Sequence, residues 1–280
     1  MLRTSVWWAL WLMALSGCAC DGRDSAQPQG PSDVAGIHID YQYVGWGTAE
    51  EKFTLLPELS GQGFVLKGRY VDSRGMPHEV ERFVPRVSVE SFVAAAVAPP
   101  WPRAAGVRAM AARVDRREVS RIEPYVRLPP MRCTHDEIRQ LARLHVRREG
   151  RVALVDAYYG QGISWTDDYP YALVQVHRRD GGRIVMHSSS QKARMLPWHV
   201  GEPAESIPAS GEDWSPSLSE ALRLLVPPGS RLHERLDGIA MMQSRLGNRV
   251  AHHAERNCDA MRPVAAEAAG GSGTQRVADR

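Results

Sequence analysis

Apolar and polar residues alternate strictly along positions 36–44. Ile37, Ile39 and Tyr41 fall on one face of an extended segment, whereas His38 falls on the other. A period of two is typical of a β-strand that buries one face and leaves the other in solvent. The pattern therefore predicts a strand at 36–44 with His38 exposed.

A β-hairpin is predicted where two strand-like segments flank a typical turn. Segments 64–71 and 78–84 are joined by Asp72-Ser73-Arg74-Gly75, which has Asp first and Gly last, as in a type I turn. Additional strands are expected at 52–56 and, from a mostly apolar run, at 152–159.

A second hairpin joins segments 171–177 and 183–190 through Asp180-Gly181-Gly182, a strong turn signal. Each strand carries one histidine, His177 or His187. With a two-residue turn, the numbers of opposed residues sum to an odd number, so two odd-numbered residues lie on opposite faces of the sheet. We therefore expect the two histidines to be separated. A three-residue loop would reverse this, but the turn composition favours it less.

Five helices are predicted from apolar spacing and from terminal residues, at 88–97, 107–121, 134–150, 216–225 and 231–246. The clearest start is Thr134-His135-Asp136-Glu137, a capping box in which the Thr hydroxyl and the Glu carboxylate satisfy free backbone amides. Ser215 is expected to cap the fourth helix, with Pro216 in its first turn.

Strands followed by helices, twice over, indicate an α+β fold with antiparallel hairpins and several packed helices, rather than a parallel βαβ fold. We expect a single globular domain at 35–246 and a C-terminal tail at 247–280 that is partly disordered. The composition, 43% hydrophobic and 24% charged, is ordinary for such a domain.

The N-terminus has the parts of a bacterial export signal. Arg3 supplies a positive charge, 6–15 is an apolar run too short to span a membrane, and Leu15-Ser16-Gly17-Cys18 closes it. This last stretch resembles the lipobox of bacterial lipoproteins. The resemblance implies a signal peptide at 1–17 and an acylated Cys18 in the mature protein. The alternative is an ordinary secretory signal cleaved nearby, with Cys18 an incidental thiol.

Residues 21–32 are rich in Pro, Gly, Ser and Gln, which is typical of a linker, so 18–34 is interpreted as the lipidated cysteine and a flexible tether. Through acylated Cys18 the protein would have the lipid membrane as a partner, since each buried methylene contributes about 0.8 kcal/mol. Residue 19 is Ala rather than Asp. Resemblance to enterobacterial sorting rules then favours the outer membrane, with the domain facing the periplasm.

Basic residues concentrate in one segment. Arg103–Arg151 contains thirteen arginines and six acidic residues, a local net charge of +7. A solvated helix face would explain this charge; the alternative is docking on an envelope protein or on an anionic envelope component. Nucleic acid is not expected as a partner, because the chain is predicted to be exported and has no motif for binding it.

Lipidation of Cys18 would leave three further cysteines in an oxidising compartment. A disulfide between Cys133 and Cys258 is expected to pin the C-terminal segment to the middle of the fold, with Cys20 free or paired with another molecule. No metal site and no cofactor are predicted, because the chain lacks a C-x-x-C motif and the other motifs sought.

The most site-like stretch begins at Trp165. Asp167 and Asp168 are adjacent carboxylates flanked by Trp165 and Tyr169, and such a loop is suited to binding a cation or a sugar, or to acid–base chemistry. The alternative is a set of turn-capping residues at a hairpin entrance. Trp198 is a further candidate binding residue, and no catalytic residue is assigned.

Together these features predict a membrane-anchored envelope lipoprotein that acts as a binding or interaction module, either an assembly factor or an immunity-type inhibitor. Catalysis is the less favoured interpretation. The alternative is an envelope hydrolase that uses the loop containing Asp167 and Asp168.

Overall fold

Eight antiparallel strands form an open sheet in the computed structural model, which describes residues 33–44, 48–120, 133–160, 169–203 and 211–259. The order across the sheet is β4-β3-β2-β1-β5-β6-β7-β8. The strands are β1 (Val34–Val44), β2 (Ala49–Pro57), β3 (Gly63–Val71), β4 (Pro77–Pro85), β5 (Tyr169–Arg178), β6 (Arg183–Ser188), β7 (Trp198–Val200) and β8 (Glu212–Asp213).

Helices lie between β4 and β5 and after β8. They are α1 (Arg86–Val97), α2 (Arg103–Ala112), α3 (Arg116–Ser120), α4 (His135–Gly160), α5 (Pro216–Leu225), α6 (Arg231–Asp237) and α7 (Ile239–Arg256). The predicted α+β fold with an antiparallel sheet is confirmed.

One face of the sheet carries the core. Ile37, Ile39 and Tyr41 of β1 are buried there, as the alternating pattern predicts, and His38 is exposed on the opposite face. The buried side chains of the strands and helices join in one hydrophobic cluster. Burial of apolar surface contributes about 25 cal/mol per Å², so the packing of the helices on the sheet is the main source of folding free energy.

The first hairpin and the capping box are as predicted. In the turn, Gly75 N donates to Asp72 O at 3.0 Å. At the start of α4, Thr134 N donates to Glu137 Oε2 at 2.8 Å, and Glu137 N donates to Thr134 Oγ1 at 3.3 Å. Two backbone donors are thereby satisfied at the helix N-terminus.

The predicted strand at 152–159 is wrong, because this segment is the second half of α4. Gly150 interrupts the helix with φ 77° and ψ 160°, and the chain then resumes helical geometry. A short apolar run has no periodicity that separates a buried strand from a buried helix turn, so the sequence pattern alone was ambiguous.

Two other predicted helices are divided by a break. The segment 107–121 contains the end of α2, which begins earlier at Arg103, and α3. The segment 231–246 contains α6 and the beginning of α7, separated by Gly238 in a left-handed conformation. The predicted end at Leu246 is wrong, since α7 continues to Arg256 and packs on α4.

The helix at 216–225 is confirmed as α5, with Pro216 in its first turn. Ser215 occupies the predicted N-cap position, but its side chain does not cap the helix. Its hydroxyl pairs with the Ser217 hydroxyl at 2.6 Å and accepts from no backbone amide of the helix.

Cys133 and Cys258 form a disulfide, the pairing expected from the sequence. Cys133 lies immediately before the capping box of α4, and Cys258 lies just beyond α7. The bond therefore joins the start of one helix to the end of the other.

The second hairpin differs from the prediction in register. Leu173 opposes His187 and His177 opposes Arg183, so opposed numbers sum to an even number. Arg178 N donates to Gly182 O, which closes a three-residue loop with Gly181 at φ 84°. His177 and His187 consequently lie on the same face of the sheet, and the predicted separation is wrong.

A buried carboxylate connects the sheet to α6. Glu51 of β2 is fully buried, and its two carboxylate oxygens accept from Arg231 N at 2.8 Å and Leu232 N at 3.0 Å. These are free amides at the helix N-terminus, where negative charge is favourable. Burial raises the pKa of Glu51, and the backbone donors partly oppose that shift.

We predict that Glu51→Ala lowers the free energy of unfolding by about 2 to 3 kcal/mol, because it leaves buried backbone amides without an acceptor. Urea denaturation followed by circular dichroism measures the loss. The matched control is Glu50→Ala, which removes an exposed carboxylate from the opposite face of the same strand. An equal loss in both variants would contradict the role given to Glu51.

Candidate functional site

Side chains on the face opposite the core form the candidate site; we call this the open face. Strand pairing aligns one row of them across all eight strands: Glu79, Arg69, Lys52, Asp40, Leu173, His187, His199 and Glu212. Neighbouring strands are about 4.8 Å apart, so members of the row are adjacent. The described helices contribute buried side chains to the core on the opposite face.

Strands β2, β3 and β4 carry a group of ion-paired charges on the open face, beside the exposed Leu56 and Phe83. Lys52 Nζ lies 2.5 Å from Glu50 Oε1, and Lys67 Nζ lies 3.1 Å from Glu81 Oε1. Arg69 Nη2 lies 3.7 Å from Glu50 Oε2. These exposed ion pairs contribute little to stability, but they neutralise one another.

Strands β5, β6 and β7 carry a row of rings instead. The centroids of Tyr171 and His187 are 6.1 Å apart, and those of His187 and His199 are 5.2 Å apart with nearly parallel planes. His187 is only 6% exposed. Burial raises the pKa of Tyr171, and the negative charge of Asp40 raises it further.

A second ring pair bridges β1 and β5. His38 and His177 meet edge to face with centroids 5.1 Å apart. The His38 Nδ1 atom lies 3.2 Å from Thr54 Oγ1 of β2, within hydrogen-bond distance. We name the ring-bearing area the histidine surface and define it by His38, Tyr171, Leu173, His177, His187 and His199.

Two rings of the histidine surface have lowered pKa values, which favours their uncharged form. Burial lowers the pKa of His187, and the adjacent His199 lowers it further. Burial also lowers the pKa of His177, with additional lowering from His38 and Arg183. Neutral imidazole offers both a hydrogen-bond donor and an acceptor, so at neutral pH this surface combines ring contact with polar recognition.

Sequence reasoning missed this surface for a specific reason. A two-residue turn at Asp180-Gly181-Gly182 separates His177 and His187, whereas a three-residue loop unites them. Both loops need a residue with positive φ, which Gly181 supplies, so the turn composition does not decide between them.

The residues predicted as a site are only partly described. Trp165, Asp167, Asp168 and the lipidation residue Cys18 lie outside the described residues. Tyr169 is within β5, paired with Val44, and nothing further is assigned to its side chain.

Trp198 lies in the core and is 1% exposed. Its indole Nε1 donates to Ser219 Oγ at 2.9 Å, and the Ser219 hydroxyl donates in turn to Arg194 O at 2.5 Å. The tryptophan thus joins the sheet to α5, and we do not include it in the candidate site.

Several arginines of the basic segment make contacts within the fold. Arg103 Nη2 lies 2.8 Å from Asp156 Oδ1, and the same guanidinium lies over the Trp214 ring. Arg113 pairs with Glu220 at 2.5 Å. Part of the charge excess therefore stabilises helix contacts, and docking by the remainder stays a prediction.

In the part of the chain that the structure describes, one group of side chains has potential metal-ligand atoms close together: Cys133, Cys258 and Asp259. The disulfide consumes both thiols there, and a metal would require the thiolates. The histidine contacts of the open face each join two rings, His38 with His177 and His187 with His199.

Comparison with protein-family models, with curated proteins and with solved structures gave no match to this chain. Among the described helices, none combines the length and the apolar character needed to cross a membrane.

We predict that the protein loses stability as the pH falls below about 6.5, the ordinary value for histidine. A histidine whose pKa is lowered by folding binds a proton more tightly when unfolded, so acid favours unfolding. Urea midpoints measured between pH 7.5 and pH 5 should fall more steeply for the wild type than for His187→Gln.

The control for this series is Gln175→Ala, which changes a side chain without a titratable group on the same face. It should retain the wild-type slope of stability against pH. A His187→Gln slope identical to that of the wild type would disprove the contribution of this ring.

Proposed function

We propose that this protein is a membrane-anchored envelope lipoprotein that binds another protein through the histidine surface. The observation that supports this proposal is the segregation of side chains along the open face. The rings of β1 and β5 to β7 contact one another on this face, whereas β2 to β4 carry the ion pairs Lys52–Glu50 and Lys67–Glu81.

This arrangement resembles the anatomy of a protein interface. Interface centres are depleted in charge and enriched in aromatic side chains, and their rims are polar. The histidine surface spans about 14 Å between β1 and β7, and about 20 Å along β5 from Tyr171 to His177. A standard interface covers about 800 Å² on each partner, so a partner centred here would also contact the charged strands as a rim.

The chemistry of the surface favours a folded protein over an anionic polymer. Ring planes and neutral imidazoles provide flat contact area with paired donors and acceptors, which suits backbone and side-chain groups of a protein. A strongly anionic polymer would require a cluster of cations, and the lysines of the open face are already paired with Glu50 and Glu81.

The predicted tether would place this interaction at the membrane. An acylated Cys18 followed by a linker would hold the sheet near the membrane and raise its effective concentration for a partner in the same compartment. Assembly factors and immunity-type inhibitors both work in this way. No contact among the described residues favours the envelope hydrolase, and Asp167 and Asp168 stay candidates only through the sequence.

We predict that Leu173→Arg weakens capture of the partner at least tenfold, because it replaces an apolar side chain beside His187 with a long charged one. The measurement is crosslinking of the envelope fraction, followed by purification of this protein and quantification of what is bound. Leu56→Arg is the matched control: it makes the same change at an exposed leucine of the open face, on β2 and outside the histidine surface.

Both variants should unfold at the wild-type temperature, because both side chains lie outside the core. Loss of the partner in Leu173→Arg alone supports the proposal. Retention in both variants, or an equal loss in both, would place the interaction elsewhere.

We predict that Cys18→Ser abolishes incorporation of labelled fatty acid and releases the protein from the membrane fraction. Cys20→Ser is the control, because it changes a neighbouring thiol outside the lipobox. If both variants remain membrane-bound and labelled, the lipidation site assigned to Cys18 is wrong.

A further inference from the structure

A pocket lies in the helix layer, between α4 and α7. Its volume is about 270 Å³. Five of the nine residues that line it are basic or imidazole side chains, and none is a carboxylate: they are His145, Arg249, His252, His253 and Arg256. We call this feature the α4–α7 pocket.

The break in α4 gives the pocket its shape. Gly150 has φ 77°, a conformation that favours glycine, and it turns the second half of α4 away from the axis of the first half. His145 comes from the first half and Leu154 from the second, and α7 packs along both. The Cys133–Cys258 disulfide ties the beginning of α4 to the end of α7, so the two walls are covalently held together.

The polar side of the pocket is built for negative charge. Arg249 Nη1 is buried and donates to no group of the described chain. A buried donor without an acceptor costs free energy, and the cost is greater for a charged group. Arg249 itself is half-buried and lines the pocket, so an anion there would lie beside this cationic side chain.

Two imidazoles complete this side. The rings of His145 and His253 stack with centroids 4.1 Å apart. Burial lowers the pKa of His145, and the proximity of His253 lowers it further. Two protonated rings at this distance would repel each other, and a bound anion would relieve that repulsion.

The opposite side of the pocket is apolar. Leu154, Leu246 and Val250 line it beside the cationic groups. A volume near 270 Å³ holds an anionic group together with a short apolar substituent, at the lower end of the range for small-molecule sites.

We propose that the α4–α7 pocket binds a ligand that carries a phosphate group. The planar fork of arginine matches phosphate oxygens in a bidentate geometry, and imidazole donors fit the remaining oxygens. The apolar wall takes the carbon chain attached to the phosphate. This inference is independent of the histidine surface, which lies on the other side of the sheet from the helix layer.

Two sources share this chemistry, a soluble phosphate compound and the headgroup of a phospholipid. Calorimetric titration of the full chain in neutral detergent separates them. One arm uses inorganic phosphate, and the other uses dihexanoyl phosphatidic acid with dihexanoyl phosphatidylcholine as the comparison. Tighter binding of phosphatidic acid than of inorganic phosphate identifies the lipid headgroup, and equal binding identifies a soluble phosphate.

Arg249→Gln and His253→Gln should each weaken binding of the better probe at least tenfold. The matched control is Arg147→Gln, an exposed arginine on α4 that does not line the pocket, and it should bind as the wild type does. Arg249→Met should also abolish binding, because it removes the guanidinium while keeping an unbranched side chain.

Thermal unfolding provides a second readout. The unfolding temperature of the wild type should rise with added phosphate, by mass action, and chloride at equal ionic strength should not reproduce the rise. The proposal is overturned if neither probe binds, or if Arg249→Gln and Arg147→Gln bind the better probe equally. Loss of the protein partner in Leu173→Arg tests the histidine surface separately, so either proposal can fail alone.

Discussion

An antiparallel sheet has two faces, and the described helices join one of them in the hydrophobic core. Every helix between β4 and β5, and every helix after β8, contributes buried side chains to one core cluster with residues such as Ile39 and Leu55. The period of two along each strand then sends every second side chain to the opposite face. Side chains on that face do not form the core, so they can serve recognition. Strand pairing aligns them in rows across the eight strands.

Two buried charges show how differently the fold treats ionic groups. Glu51 is fully buried, yet its carboxylate accepts from two helix amides, so it connects the sheet to α6 without leaving a polar atom unsatisfied. Arg249 has a buried nitrogen with no acceptor in the described chain. The first group is explained by structure alone, whereas the second is not. Other arginines, such as Arg194, also have a buried nitrogen without an acceptor, so the stacked histidines and the apolar wall beside Arg249 are what mark the α4–α7 pocket.

The sequence predicts correctly those elements that are determined by residues close together in the chain. The alternation at 36–44, the Asp72–Gly75 turn and the Thr134–Glu137 capping box each depend on residues within a few positions of one another, and each is found. The segment 152–159 was assigned as a strand because a short apolar run carries no decisive period. Its helical state depends on contacts of α4 with α2 and α7, which lie far away in the chain.

Each candidate site depends on a glycine that determines which distant side chains come together. Gly181 lets the β5–β6 loop contain three residues, and that one-residue difference moves His187 to the face of His177. Gly150 lets α4 change direction, which brings His145 and Leu154 to the same pocket. A sequence pattern identifies such glycines as turn residues but does not fix how many residues the turn contains or where the chain goes next. The side chains that a turn brings together are therefore visible only once strand register and helix packing are known.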